Sequence, residues 1–351
     1  MGFVRGHQTK GDSSLYTIHD VARLAGVSIA TVSAVVNHKG GVSQKLTERV
    51  KSALEALDYQ PHQGARSLKV RRTHTIGIVI PDITNLFFAE VMRGVENEAR
   101  GQGYSTILCD SNEDRAQEHT NLDILYARRV DGVLLAPSDP HAGQDRQTRR
   151  HFPIVLMDRI PPGFAGPAVI TDNFSGAYEA TRHLISLGHK RIAVITGLLD
   201  FVNGIDRLEG FRKTLQEAGL PLHDHYLQRG NFQLESGYRC GVELLRLATP
   251  PTAIFSCSNK MTLGLMRAVN ELGLSCPKDI SILGFDDFDW AANFSPRLTT
   301  VAQLTCEMGR QAMRMLVQEI ENFRKPGGSG AERIVTLKPE LRVRDSTAAL
   351  L

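Results

Sequence analysis

Residues Tyr16-Thr17-Ile18-His19-Asp20-Val21-Ala22-Arg23-Leu24-Ala25-Gly26-Val27-Ser28-Ile29-Ala30-Thr31-Val32-Ser33 read as two short helices joined by a tight turn. Thr17 and Asp20 have the spacing of a capping box at a helix start. Ile18, Val21, Ala22 and Ala25 then recur at helical spacing and form one apolar face. Gly26 ends that helix, and Val27 drops toward the core beneath the turn. Ser28 caps a second helix, with Val32 and Val36 on its inner side and Ile29, Ala30, Ser33 and Ala34 on its outer side. A third helix opens at Ser43 and buries Val50, Ala53, Leu54 and Leu57. Two short helices across a glycine turn, braced by a third, make a helix-turn-helix. That plan can lay the first residues of its second helix in a DNA major groove.

Charge is distributed to match. The chain has 351 residues, more than one hydrophobic core normally supports, and its formal net charge is +3. Residues 1–75 carry 11 Lys/Arg against 5 Asp/Glu, whereas the remaining 276 carry 30 against 33. A basic head on a slightly acidic body points to a polyanionic partner for the head alone. The five cysteines, Cys109, Cys240, Cys257, Cys276 and Cys306, are scattered and form no CxxC pair, so neither a disulfide framework nor a zinc site is expected. Met1 to Leu15 is polar, and no apolar run is long enough to cross a bilayer. A cytoplasmic protein with no membrane partner is therefore expected.

From Thr75 the pattern changes to short apolar runs alternating with amphipathic segments. The runs are Ile76–Ile80, Ser105–Leu108, Gly132–Leu135 and Ile154–Met157, and again Ile192–Thr196, Ala253–Ser256 and Ser281–Phe285. Helix-length segments such as Phe88–Gly103, Ala116–Arg129, Leu208–Ala218 and Met261–Leu272 separate them. Near-continuous apolar strands between helices imply parallel sheets covered on both faces, and two such series imply two doubly wound lobes. A ligand is expected in the crevice at the carboxyl ends of the strands.

Those strand ends carry polar groups. Asp82 and Asn85 follow the first strand, Asp158 and Arg159 the fourth, and Asp172 and Asn173 end another. Ser258, Asn259 and Lys260 follow the Ala253 strand, Asp286 and Asp287 follow Ser281–Phe285, and Arg207 opens a helix beyond the Ile192 strand. Aspartates and an arginine around Phe87, Phe88 and Phe232 suit a polyol: carboxylates and amides bind adjacent hydroxyls while rings cover the apolar sugar face.

The stretch from Tyr16 to Ser33, with Val36-Asn37, closely resembles the headpiece of the lactose-repressor (LacI/GalR) family of bacterial transcriptional regulators. Tyr59-Gln60-Pro61 and Ala65-Arg66-Ser67-Leu68-Lys69-Val70 resemble that family's hinge, and the resemblance runs on to about Val343. It implies that Ile29, Ala30 and Ala34 read base edges in the major groove, among a DNA-facing set completed by Thr17, Ser28, Thr31, Ser33 and Asn37. Leu68 would be a minor-groove wedge inserted jointly by two subunits. Arg66, Lys69, Arg71 and Arg72 would lie near phosphates. In the body it makes Arg207, within Asp206-Arg207-Leu208-Glu209-Gly210-Phe211, the effector-clamping arginine and Asp286 the effector aspartate. Phe87, Phe88 and Phe232 become aromatic pocket positions. Three crossings would give lobes of about 75–173 plus 304–332 and 174–303 plus 333–351, with Gln303 at the last crossing. The face near Phe88–Gly103 would form the subunit contact, and Lys325 to Ala331 a surface loop.

Four departures from the family pattern stand out. Position 34 is commonly a hydrogen-bonding residue and here is Ala, which offers only a methyl contact. Gly64 lies inside the hinge helix, where relatives place an apolar residue. Phe201 falls where purine-sensing members carry a base-reading arginine, which argues against a purine ligand. Ser258-Asn259-Lys260 replaces the usual Asn-Asp pair.

The expected fold is thus an N-terminal all-α helix-turn-helix headpiece (16–60), a hinge helix and linker (61–74), and a body (75–351) of two doubly wound parallel α/β lobes, periplasmic-binding-protein-like. The expected function is a ligand-responsive, sequence-specific transcriptional regulator, a repressor of carbohydrate-related genes. It would bind palindromic double-stranded operator DNA as a homodimer and answer to a sugar or sugar-derived effector. A corepressor-dependent regulator, or an activator with a non-sugar ligand, is the alternative. No cofactor and no metal is expected. Nor is an enzyme, because no Gly-rich dinucleotide fingerprint, Walker loop, HExxH or Gly-x-Ser-x-Gly elbow occurs. A secreted sugar receptor would have no use for the basic head.

Overall fold

The backbone N–H and the hydroxyl of Thr17 both donate to Asp20, at 3.0 and 2.7 Å, and start helix α1 (Ile18–Ala25). The computed structural model describes residues 16–36, 40–59, 72–142, 152–293, 295–325 and 333–350, and the chain divides into two units, Met1–Thr73 and His74–Leu351. Gly26 ends α1 in the left-handed region, φ 61°, where a side chain would be strained, and the Val27 N–H reaches back to the Ala22 carbonyl at 3.0 Å. Helix α2 (Ile29–Val36) then leaves at 104° to α1. Arg49 on α3 (Gln44–Ala56) donates to the Ala25 carbonyl at 2.6 Å, so the third helix caps the end of the first.

Val21, Ala22, Ala25, Val32, Val35, Val50 and Ala53 form the core of the head. The inner side of α2 differs by one residue from the expected pattern. Val35 is buried one turn after Val32, and Val36 is only partly covered.

The second unit holds two six-stranded sheets. The first contains β1 (Thr75–Ile80), β2 (Ser105–Asp110), β3 (Gly132–Leu135), β4 (Ile154–Met157), β5 (Ala168–Thr171) and β11 (Ile334–Leu337), in the order β11-β5-β4-β3-β1-β2, all parallel. The second contains β6 (Ile192–Thr196), β7 (Leu227–Arg229), β8 (Ala253–Ser256), β9 (Ser281–Phe285), β10 (Thr299–Ala302) and β12 (Glu340–Arg342), in the order β12-β10-β9-β8-β6-β7. Only β10 and β12 pair antiparallel.

Strand β1 shows why the sheets need cover on both faces. Ile76, Ile78 and Ile80 pack on one side against α4 (Leu86–Gly101) and α11 (Thr305–Phe323), and Val79 packs on the other against Leu125 of α5 (Arg115–Ala127). Helices α4 and α11 cross so closely that a Cβ on Gly94 would stand 2.1 Å from the Cys306 carbonyl oxygen. Helices α6 (Asn173–Ser186), α7 (Val202–Glu217), α8 (Leu234–Leu245), α9 (Asn259–Glu271) and the short α10 (Asp289–Asn293) belong to the second lobe. In both sheets the order reverses beside the first strand, between β1 and β3 and between β6 and β8, which opens a crevice at their carboxyl ends.

Three crossings join the lobes, two of them where expected. The third lies later. Ile334–Leu337 pairs with β5 in the first lobe, so the chain returns only at Lys338-Pro339 and not at residue 333. Gln303, expected at the last crossing, sits at the second, between β10 and the helix that begins at Thr305. Helix α7 also begins earlier than the sequence suggested, so Arg207 lies in its second turn and does not open it. Most of the expected loop at Lys325 to Ala331 lies outside the described residues.

Candidate functional site

Two surfaces carry the expected functional residues. On the head, Ile29 and Ala30 are exposed at the start of α2, with Thr31, Ser33 and Ala34 half-buried behind them. Ser28 holds this end, its hydroxyl accepting the Thr31 N–H at 3.1 Å and bonding the Thr31 hydroxyl at 2.9 Å. An exposed helix start bearing Ile29, Ala30 and nearby hydroxyls suits an approach to DNA. Thr17 is exposed but engaged with Asp20. Asn37, Gly64, Arg66, Leu68, Lys69 and Arg71 lie outside the described residues.

In the body, Phe87, Phe88, Asp158, Arg159, Arg207, Phe232, Asp286 and Gln303 all line one cleft between the lobes, joined by Asn85, Asn203 and Ser258. Asp82 stands at its mouth, paired with Lys260. These residues bound about 300 Å3 of empty space that is partly open to solvent.

Left-handed backbone aims several of these side chains. Asp158 (φ 63°) follows β4, Phe232 (φ 65°) follows β7, and Asp286 (φ 76°) follows β9. Each turn costs about 1 kcal/mol or more in a residue with a side chain, a cost retained at sites where a side chain must point inward.

Arg207 is 2% exposed and is fixed on three sides. Its Nε donates to Asn173 Oδ1 at 2.8 Å, its Nη1 donates to the Cys257 carbonyl at 2.7 Å, and its guanidinium lies 3.7 Å over the Phe285 ring. Asp158 and Asp286 both feel its charge, yet neither comes within 4 Å of it. The space they bound is where ligand hydroxyls would bridge them. Asp286 accepts from Gln303 Nε2 at 2.5 Å and from the Asn259 N–H at 3.2 Å. Gln303 in turn accepts from the Thr171 hydroxyl, which links the two lobes beneath the cleft.

Arg159 is equally buried. Both Nη atoms donate to Glu113, at 2.6 and 2.7 Å, and its guanidinium sits 5.6 Å from the Phe201 ring centre and 5.1 Å from that of Phe232. Phe87 and Phe88 meet edge to face on the first-lobe side of the cleft.

Burial governs the acid groups. It pushes the Asp158 carboxyl up to about 6, against the pull of Arg159 and Arg207. Asp286 is also raised by burial, with Arg207 and Gln303 opposing. Burial alone would raise Asp82, but the Lys260 and Thr84 hydrogen bonds outweigh it and hold the group below the ordinary carboxylate value.

Glu113 and Asn203 were not among the expected site residues. Glu113 contacts Arg159 across 46 residues from the polar segment Asp110-Ser111-Asn112-Glu113 at the end of β2, the same strand-end signal that marks Asp82 and Asp158, and Asn203 lies in the first turn of a helix whose start the sequence places later. The left-handed Asn112 and Glu113 pair is visible only once the backbone is known.

Residues 17–62 match the family description "Bacterial regulatory proteins, lacI family", and residues 181–347 match a periplasmic binding protein-like domain. The HTH-type transcriptional repressor PurR of Haemophilus influenzae (strain PittEE) is 38% identical over 339 residues, covering 95% of this chain and 99% of its own. The ribose operon repressor of Escherichia coli (strain K12) is 40% identical over 308 residues, covering 87% and 93%. Among solved structures, the lac repressor dimer bound to operator and the anti-inducer ONPF has a TM-score of 0.84 at 27% identity, covering 96% of this chain and all of its own. A LacI family regulator from Enterococcus faecium with bound ribose has a TM-score of 0.69 at 33% identity, covering 79% and 100%. With relatives of this identity spanning almost its whole length, the chain belongs to the lacI family of bacterial regulatory proteins and is a DNA-binding transcriptional repressor, not an enzyme.

Proposed function

We propose that the cleft binds a neutral monosaccharide of ribose size, and that its occupancy controls the grip of a cytoplasmic homodimer on a palindromic operator. The observation that carries the ligand class is the charge arrangement. Three cations, Arg159, Arg207 and Lys260, face four carboxylates, Asp82, Glu113, Asp158 and Asp286, and two of the cations already have a close carboxylate partner. An anionic ligand would enter a cleft that already has more carboxylates than cations. A polyol can accept from Arg207 and donate to Asp158 and Asp286 while Phe87, Phe88 and Phe232 cover its carbon face.

The ribose operon repressor and the ribose-bound regulator among its relatives support a pentose. The PurR relatives raise a purine as the competitor. Phe201, buried against Arg159 where a purine-sensing protein would place a base-reading arginine, weighs against it. Homodimerisation rests on the lac repressor dimer as a structural relative and on the exposed Ile83 just before α4 and Leu86 at its start. A ligand that binds only the folded state stabilises it by about 2.7 kcal/mol at a hundredfold excess over its Kd. D-ribose should therefore raise the melting temperature in a concentration-dependent way, with hypoxanthine and cellobiose silent. A shift with hypoxanthine and none with any neutral monosaccharide would overturn the sugar reading in favour of a corepressor.

A further inference from the structure

Arg159 lines the cleft, yet both of its terminal nitrogens are engaged inside the protein. Both terminal nitrogens are held in a fork by the two oxygens of Glu113. The Arg159 side chain is 4% exposed and that of Glu113 is 20% exposed. Rings of Phe201 and Phe232 flank the guanidinium, so it has no room to turn toward another partner. Its Nε is fully buried, finds no hydrogen-bond partner among the described residues and stands 3.7 Å from Asp158 Oδ2. Nε is therefore the one nitrogen of this guanidinium without a partner, on a side chain whose charge is already neutralised.

Glu113 is built to stay there. It follows β2 in a left-handed turn, φ 57°, after Asn112 at φ 51°, and its N–H donates to the Pro81 carbonyl at 2.8 Å. The loop is thereby pinned to the end of β1, beside Asp82. Glu118, a further buried carboxyl, also acts electrostatically on Arg159. An arginine in a ligand cleft ordinarily offers a planar two-pronged donor to carboxylate or phosphate. Here the protein's own carboxylate fills both prongs. Without Glu113 the cleft's internal charges would be two arginines against Asp158 and Asp286, a balance that tolerates an added anion.

We propose that Glu113, by holding Arg159 through both terminal nitrogens, is the positioning residue that makes this cleft select an uncharged polyol against the carboxylate and phosphate derivatives of the same sugar. The Arg159 Nε–H, on the one nitrogen without a protein partner, is left for a ligand oxygen. The inference rests on the sugar reading above and adds to it the origin of charge discrimination.

D-ribose and D-ribonate share five carbons and differ by one carboxylate, so calorimetric titration of the full-length protein with each supplies the test. Wild type should bind ribose and discriminate against ribonate by at least a hundredfold. Glu113→Gln should keep ribose affinity within about tenfold and shrink the ribose-to-ribonate ratio at least tenfold. Glu113→Asp, which keeps the charge, should hold the ratio closer to wild type than Glu113→Gln does. Ribonate's cost of binding in an open-chain form is common to all three proteins and cancels between ratios. A purely structural role for Glu113 would weaken both ligands together, and an unchanged ratio in Glu113→Gln overturns the inference while leaving the sugar reading intact. A wild type that binds ribonate better than ribose overturns both.

Discussion

Lys260 Nζ, at the start of α9 in one lobe, lies 2.5 Å from Asp82 Oδ2, at the end of β1 in the other. Beside this pair Asn259 Nδ2 donates to Asn85 Oδ1 at 2.7 Å, and Lys260 also reaches the Thr84 hydroxyl at 3.2 Å. These contacts hold the two lobes together across the cleft mouth. With an effector in the cleft, these contacts would oppose the opening that releases it.

Replacing Lys260 by Met should therefore weaken effector binding mainly through faster dissociation. With side chains 20% and 13% exposed, the pair is partly desolvated, and a coupling of about 1 kcal/mol is expected, or about fivefold in affinity. A double-mutant cycle with Asp82→Asn isolates it, because Asp82 keeps its bonds from Thr84 in either background. Coupling below about 0.3 kcal/mol would show that the mouth contact adds nothing to closure.

Arg207→Ala should abolish the response to effector and leave operator affinity without effector near that of wild type. The change leaves Asp158 and Asp286 buried with less compensation and frees the Cys257 carbonyl, so stability should also fall, by about 3 kcal/mol. Gel-shift titrations below the lowered melting temperature separate the two effects. A variant that folds and still releases DNA with unchanged effector dependence would remove Arg207 from the ligand site.

The raised Asp158 carboxyl predicts a pH dependence with a definite sign. Its ordinary value is 3.8 and its folded value about 6, so the folded protein holds this proton more tightly than the unfolded chain. This group's contribution to stability then falls as pH rises from about 4 through about 6, by about 3 kcal/mol at most. Asp158→Asn removes the buried charge. Its melting temperature relative to wild type should climb across that window in the absence of ligand and level off above it. A difference that is flat with pH would mean the carboxyl titrates at its ordinary value.

Much of this was legible in the sequence, and the limits follow from what periodicity can carry. The apolar runs of β1, β3, β4, β6, β8 and β9 were readable because buried parallel strands leave no polar gap. Phe87, Phe88, Asp158, Arg159, Arg207, Phe232, Asp286 and Gln303 do come together in one cleft, since carboxyl ends of strands converge whatever lies between them. Exposed or short strands were harder. Ile334–Leu337 is half exposed and reads like a tail, so the sequence alone places the last crossing earlier than the structure does. Pairings across long loops leave no local trace. Glu113 with Arg159, Asn85 with Asn259 and Arg49 with the end of α1 each join residues that no window of sequence contains together.

Gly197, just past β6, offers the last prediction. A Cβ there would stand 1.9 Å from Cε1 and 2.0 Å from Cζ of Phe232, so alanine and the present ring position exclude one another. The backbone at Gly197 is not in the left-handed region, so alanine adds no conformational strain of its own and the ring must yield. Phe232 is 5% exposed and stacks against the Arg159 guanidinium, which leaves it nowhere to go except into the cleft or out of the core. Gly197→Ala should cost about 1–3 kcal/mol of stability, the range for overpacking a filled core. It should also lower effector affinity at least tenfold, because the displaced ring either occupies ligand space or uncovers the sugar face. Binding of operator without effector should be retained. Calorimetry of ligand binding beside thermal melts reads both numbers. Full effector affinity together with a wild-type melting temperature would mean that Phe232 moves freely and does not wall the cleft.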